Sequence, residues 1–315
     1  MLVGPFSPRN KPAQWVKPGA LWLLACILFG GVLCTPIEAR NLRTTAPLGE
    51  GMSAVRGRPN PDCPQFQVFG FPTAKSAGVL ERSYSICRLG YAGMFDPELN
   101  SPLWVAERLS RDGLEGNAHR SGLDFKDDPQ IPQQQEAVRH YRRSGFDKGH
   151  LAAADDFRWS QEAMRQSFIF SNVVPQHPLH NRNVWQQLES MVCELAARRG
   201  TLFVVTGPVF GQGLEWLYYG KTSADRQASA IPVPTALFKV IVDPSNREMT
   251  AFVIPNDGQR GEDPRPYQMN VREVEKVTGL DFNPQLSRIE ADSVEVNSTS
   301  WILPHVRKRL LEGGS

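Results

Sequence analysis

Phe146-Asp147-Lys148-Gly149-His150-Leu151 is the stretch around which the fold of this chain is decided. A histidine with an unperturbed pKa of about 6.5 is mostly neutral at pH 7 and can accept a proton from water or a hydroxyl. Alone it decides nothing, because a single histidine after a strand is more often a hydrogen-bonded structural residue. Its weight comes from downstream, where Ser171-Asn172-Val173-Val174-Pro175-Gln176 runs through His177-Pro178-Leu179-His180-Asn181 to Trp185 and Leu188-Glu189. Asn181 follows Asn172 by nine residues, and Glu189 follows Asn181 by eight.

Around these segments the apolar pattern predicts alternating elements. Ser83 to Leu89 and Leu103 to Leu109 mix β-branched and aromatic residues with polar alternation and are read as strands. Phe168 to Val174 is a short apolar strand candidate. Asn183 to Arg199 is predicted as a helix, since Trp185, Leu188, Val192, Leu195 and Ala196 share one face and Gly200 follows as a stop. Leu202 to Val205, Ala236 to Val242 and Met249 to Ile254 are three more strands, and Val271 to Thr278 a shorter helix ending at Gly279. The polar stretch Arg111 to Arg143 is expected to be a long surface excursion, of the kind that often carries function.

The ends of the chain are less uniform. Arg9, Lys11 and Lys17 precede an apolar run from Gly19 to Cys34, with Ile37-Glu38-Ala39 as a possible cleavage point. This describes a secretory signal peptide over residues 1–39, with a retained signal anchor through residues 19–37 as the alternative. A lipidated Cys34 is a weaker reading, because Leu33 is bulky. The expected location is therefore periplasmic or secreted. Residues 40–62, rich in Gly, Pro and small polar residues, are read as a flexible linker, and residues 63–315 as one domain. Three of the 35 basic and one of the 33 acidic residues lie before residue 40, so the remainder is balanced. Whole-chain charge gives no support to a nucleic-acid partner, and any phosphate attraction must be local. After removal of the signal, Cys63, Cys87 and Cys193 remain. Cys63 could pair with Cys87 in an oxidising compartment, leaving Cys193 as a partly buried helical thiol.

Cleaving a phosphodiester needs a base for the attacking oxygen, compensation of phosphoryl charge and help for the leaving oxygen. The two motif segments together resemble the DNA/RNA non-specific endonuclease family, the ββα-metal (His-Me finger) nucleases. That family carries Asp-Arg-Gly-His, then Asn-x-x-Pro-Gln, then an Asn opening a helix with Trp and Leu-Glu downstream. Weaker likeness continues through Thr206-Gly207-Pro208, Val233-Pro234-Thr235 and Thr278-Gly279-Leu280.

The resemblance implies an α+β fold, with a central, mainly antiparallel sheet and flanking helices. It also implies a metal-dependent endonuclease that hydrolyses DNA and RNA irrespective of the sugar. His150 takes the part of general base, typically worth about 10²–10⁴-fold. Asn181 is implied as the metal ligand, since an oxygen donor suits a hard Mg²⁺ (or Mn²⁺) that keeps most of its waters; helix N-cap is its ordinary alternative. Glu189, about 12 Å further along the helix axis, is implied to hold metal-bound waters. Arg120 is the best positional match for an arginine gripping phosphate, with Arg142 and Arg143 as rivals. Lys148 stands where the family has arginine; it keeps the charge but loses the planar fork, so altered rate or preference is expected. Asp147 is read as orienting His150 or the water network, and Asn172 as ordering the site from within an apolar strand. DNA and RNA are the implied substrates, and a homodimer the implied assembly.

Other chemistries fit less well. Pro178 disfavours the helical presentation that would let His177 and His180 share a zinc ion, and no HExxH or CxxC supports one. A Cys193–His nucleophile would have to work from within an amphipathic helix. A catalytically impaired nucleic-acid-binding relative is left open by Lys148 and opposed by the joint presence of His150, Asn181 and Glu189. No helix-turn-helix, zinc finger or RNA-binding aromatic signature predicts sequence readout.

Overall fold

The computed structural model describes residues 55–132, 137–219, 230–258 and 263–296. The predicted signal or anchor over residues 1–39 lies outside the described residues. Along the described chain the strands are β1 (Val55–Arg56), β2 (Thr73–Ala74), β3 (Tyr84–Cys87), β4 (Tyr91–Asp96), β5 (Ser101–Leu109), β6 (Asp147–His150), β7 (Val173–Gln176), β8 (Leu202–Val209), β9 (Trp216–Leu217), β10 (Ile231–Pro232), β11 (Ala236–Asp243), β12 (Glu248–Pro255), β13 (Gln268–Met269) and β14 (Leu280–Asp281). The helices are α1 (Ala77–Arg82), α2 (Arg111–Leu114), α3 (Ala137–His140), α4 (Gln161–Ser167), α5 (Gln186–Arg199), α6 (Val271–Thr278) and α7 (Arg288–Glu295).

Eight strands form one sheet in the order β1-β3-β4-β5-β8-β11-β12-β13, each neighbour antiparallel. Side chains alternate across a strand, so β8 and β11 feed two cores. Leu202, Val204, Leu237 and Ile241 face Trp185, Leu188 and Val192 on one side. Val205, Phe238, Val240 and Val242 face Val271, Val274 and Val294 on the other. The five apolar residues predicted to line one face of the long helix are all buried. This is the α+β arrangement expected.

Three sequence expectations change. The fold reaches back to Val55, inside the stretch read as linker: β1 pairs with β3, and buried Asn60 donates its backbone N–H to Ser85 Oγ at 2.7 Å. Phe168–Val174 is not a strand throughout. Phe170–Asn172 makes a 3-10 turn first, and β7 begins only at Val173. The long helix starts earlier, as a π-type stretch His180–Trp185 that continues into α5. Cys63 and Cys87 form a disulfide, with Cα atoms 5.8 Å apart, and Cys193 is a half-buried free thiol.

Candidate active site

β6 carries Asp147 to His150 and pairs antiparallel with β7, with Asp147 opposite Gln176 and His150 opposite Val173. The chain then enters the π-type stretch and α5, giving a strand–strand–helix unit. Gly149 permits a close approach: an added Cβ would stand 2.2 Å from Gln176 Cδ. Gln176 Nε2 in turn donates to the His150 carbonyl at 3.4 Å.

The His150 ring packs against Phe125, with centroids 5.1 Å apart, and edge-on to Phe168 at 4.8 Å. Neither phenylalanine is marked as functional by the sequence motif. Their apolar walls account for the imidazole's electrostatics. Burial, reinforced by the positive charge of Arg120, lowers its pKa to about 3, so the ring is neutral at physiological pH. Nε2 is enclosed and makes no hydrogen bond among the described residues. Nδ1 is not among the enclosed atoms left without a partner.

Asn172 holds the strand exit. Its Oδ1 accepts from the Ala152 N–H, while Nδ2 donates to the carbonyls of Ala152 and Ser167, each at 2.9 Å. With no exposed surface, it orders the backbone and is closed to any substrate.

Asp147 does not orient His150. Its carboxylate accepts from Asn181 Nδ2 at 3.0 Å and from Arg182 at 2.6 and 2.8 Å. A carboxylate only accepts, so this bond fixes which end of the Asn181 amide faces Asp147. Oδ1 points away and has no hydrogen bond among the described residues. Asn181 is not a helix cap either; it lies inside the π-type stretch, an irregularity often found at functional sites. An oriented hard oxygen with few protein neighbours fits an ion that keeps most of its waters. Arg182, one residue on, was missed in the sequence, where nothing but its proximity to Asn181 points to it.

Glu189, on α5, faces the sheet. Thr206 and Lys239 stand opposite each other on β8 and β11, with Lys239 Nζ bonded to Thr206 Oγ1 at 2.7 Å. Glu107 and Asp156 are buried nearby, and the Lys239 ammonium lies 5.1 Å from the Trp185 ring. Burial raises the Glu189 pKa to about 8, with Lys239 opposing and Asp156 and Asp155 reinforcing the shift. The Cys193 thiol donates to Asp156 Oδ1 at 3.1 Å and is pushed well up by burial, which removes it as a nucleophile.

Arg120 and Lys148 line a cleft of about 540 Å³ together with Leu123, Asp124, Phe125, Val138 and Phe168. Arg120 lies 5.8 Å from the Phe168 ring and Lys148 Nζ 4.8 Å from that of Phe125, the two rings that hold His150. Arg142 and Arg143 are exposed and do not line it. His180 Nδ1 is engaged with the Pro255 carbonyl, while His177 accepts from the Leu179 N–H. Among the described residues no three His, Cys, Asp or Glu side chains are placed to hold a metal ion, which leaves the zinc reading without a site.

A profile of DNA/RNA non-specific endonucleases matches residues 72–289. The chain belongs to this family. It is 34% identical to mitochondrial endonuclease G of Bos taurus over 247 residues, 75% of this chain and 79% of that protein. Mitochondrial nuclease EXOG of Xenopus laevis is 34% identical over 234 residues, 70% of this chain and 62% of that one. A chain in the crystal structure of an EndoG/EndoGI complex superposes with a TM-score of 0.60 at 29% identity, covering 72% of this chain and 93% of its own. The ββα-metal fold and the nuclease class expected from the motifs hold. The expected periplasmic or secreted location is overturned, because these relatives are mitochondrial. Basic, acid-poor N-terminal residues are common to export signals and mitochondrial transit peptides, and the apolar run by itself does not separate the two.

Proposed function

We propose that this non-specific endonuclease family member hydrolyses phosphodiester bonds in both DNA and RNA, using Mg²⁺ or Mn²⁺, with His150 as general base and Asn181 as metal ligand. The observation that carries the reading is the pairing of a neutral, walled-in His150 with an Asn181 amide oriented by Asp147, both reached from the same short strand. His150 Nδ1 takes the proton from the attacking water, and Phe125 and Phe168 keep the ring unprotonated beforehand. Arg120 and Lys148 hold the phosphoryl oxygens in the cleft; lysine neutralises charge there without bidentate geometry. Asn181 Oδ1 would hold the divalent ion, with Glu189 on its waters. When bound, such an ion polarises the phosphate and stabilises the leaving oxygen.

The test incubates the full-length protein with plasmid DNA and with RNA, with Mg²⁺, Mn²⁺ or EDTA, beside His150→Ala. Both substrates are expected to be cut with metal and spared with EDTA, and His150→Ala is expected to lose at least about 100-fold in rate. Equal cutting by His150→Ala would remove the assigned base. Binding without cleavage in either metal would favour the catalytically impaired relative that Lys148 leaves open.

A further inference from the structure

Next to the cleft two adjacent tyrosines are turned to solvent, Tyr218 at 55% and Tyr219 at 38% exposure. Tyr219 is held in place from the side of α3. Leu217, just before them, is buried in a small core with Ala137, Tyr141 and Ile231. Buried His140, on α3, contacts the Leu217 carbonyl through Nδ1 at 3.1 Å and meets the Tyr219 ring edge-on at 5.9 Å. Arg139 places its guanidinium 5.5 Å from the same ring. The preceding residue on α3, Val138, lines the cleft that holds Arg120 and Lys148. One short helix thus joins the cleft to the Tyr219 ring and the guanidinium beside it, with Tyr218 exposed next in sequence.

We propose that Tyr218 and Tyr219, with Arg139, form a stacking platform for an unpaired nucleobase of the strand lying in the cleft. The inference rests on the nuclease reading and adds a preference to it. The occupant follows from charge and shape. A polyanion leaving the cleft past Val138 meets Arg139, with Arg142 and Arg143 exposed on the next turn. Every base offers a π-face, so aromatic stacking is tolerant of sequence, and guanidinium groups add cation–π attraction. Paired bases in a duplex are already stacked on one another and cannot use the platform without being unstacked. Single-stranded segments should therefore be held more tightly than duplex.

The test measures binding of the full-length protein, in EDTA, to a labelled short oligothymidylate and to a labelled hairpin duplex by fluorescence anisotropy. Tyr218→Leu combined with Tyr219→Leu is expected to weaken oligothymidylate binding roughly 5- to 100-fold and hairpin binding by no more than about twofold. The matching pair of Tyr→Phe changes, which keeps the rings, is expected to restore single-strand affinity. Unchanged oligothymidylate affinity in the leucine variant would overturn the platform, as would equal losses on both ligands or failure of the phenylalanine variant to restore binding. Cleavage by the wild-type protein in Mn²⁺ is scored separately. Its absence would sink the nuclease reading, while the affinity ratio still decides the platform.

Discussion

Gly149 shows how little room lies between β6 and β7. A methyl group there would fall 2.2 Å from Gln176 Cδ, so Gln176 must move and release its bond to the His150 carbonyl. Gly149→Ala is expected to cost about 1–3 kcal/mol in denaturant unfolding and to lower kcat by shifting His150. Wild-type stability and rate would mean that Gln176 withdraws without consequence. Asn172 acts differently, through satisfied bonds. Replacing it with alanine leaves the Ala152 N–H and two buried carbonyls unpaired, a loss of about 3 kcal/mol. A loss below about 1 kcal/mol in chemical denaturation would indicate that water replaces the amide. The sequence pointed to Asn172 as an organiser because a polar residue among apolar neighbours needs partners. Of the two roles read for Asp147, orienting His150 fails, since linear proximity hides that residues three apart on a strand point to opposite faces; its carboxylate holds Asn181 and Arg182 instead.

Helices with one buried face were legible through their period, and strands buried on both faces where β-branched residues marked them, as Val240, Ile241 and Val242 mark β11. The helix with Trp185, Leu188 and Val192 stood out through its 3.6-residue period, and Val271–Thr278 through its terminal Gly279, which sits in the left-handed region at φ 69°. β4 was missed because Tyr-Ala-Gly-Met-Phe-Asp neither alternates nor contains a β-branched side chain to mark a strand, although all six residues are buried. α4 is only seven residues long and announces itself by little more than its Ser160 cap. The presumed surface excursion hides real structure. Asp128 and Arg88 form a buried ion pair at 2.6 Å, and Phe125 reaches in to wall His150. Residues 55–62 looked like a linker because their anchoring is not apolar. They are held by a two-residue strand, by Asn60 and by the neighbouring disulfide. Closing the Cys63–Cys87 loop of 24 residues should restrict the unfolded chain by about 3 kcal/mol. Cys63→Ser with Cys87→Ser is expected to lower unfolding stability by that order, with the denaturation midpoint as readout. An unchanged midpoint would mean that strand pairing alone holds the segment.

Across the whole molecule, the sheet's core face sets the electrostatics of the site. Glu107, Lys239 and Thr206 from three strands, with Asp156, confront Glu189, Trp185 and Cys193 on the helix side. Such a layer was invisible in sequence, because it joins residues from across the chain through strand register. If Glu189 holds metal-bound waters as proposed, its proton is linked to the metal. In the metal-free protein Glu189 titrates near 8 rather than 4.5, so the folded state keeps a proton that the unfolded chain releases. That carboxyl therefore makes the protein less stable as pH rises from about 4.5 to about 8. His150 acts oppositely. Its folded pKa of about 3 against 6.5 makes its contribution grow as pH rises through that interval. If Glu189 must be ionised to hold metal-bound waters, metal binding expels its proton, and affinity falls about tenfold per pH unit below 8. Titration calorimetry with Mn²⁺ at pH 7, in two buffers of different ionisation enthalpy, should register close to one proton released per ion. The gain in Tm on adding Mn²⁺ should accordingly be larger at pH 8.5 than at pH 6.5. Equal gains at the two pH values, with no proton released at pH 7, would separate Glu189 from the metal and leave Asn181 as its sole protein anchor.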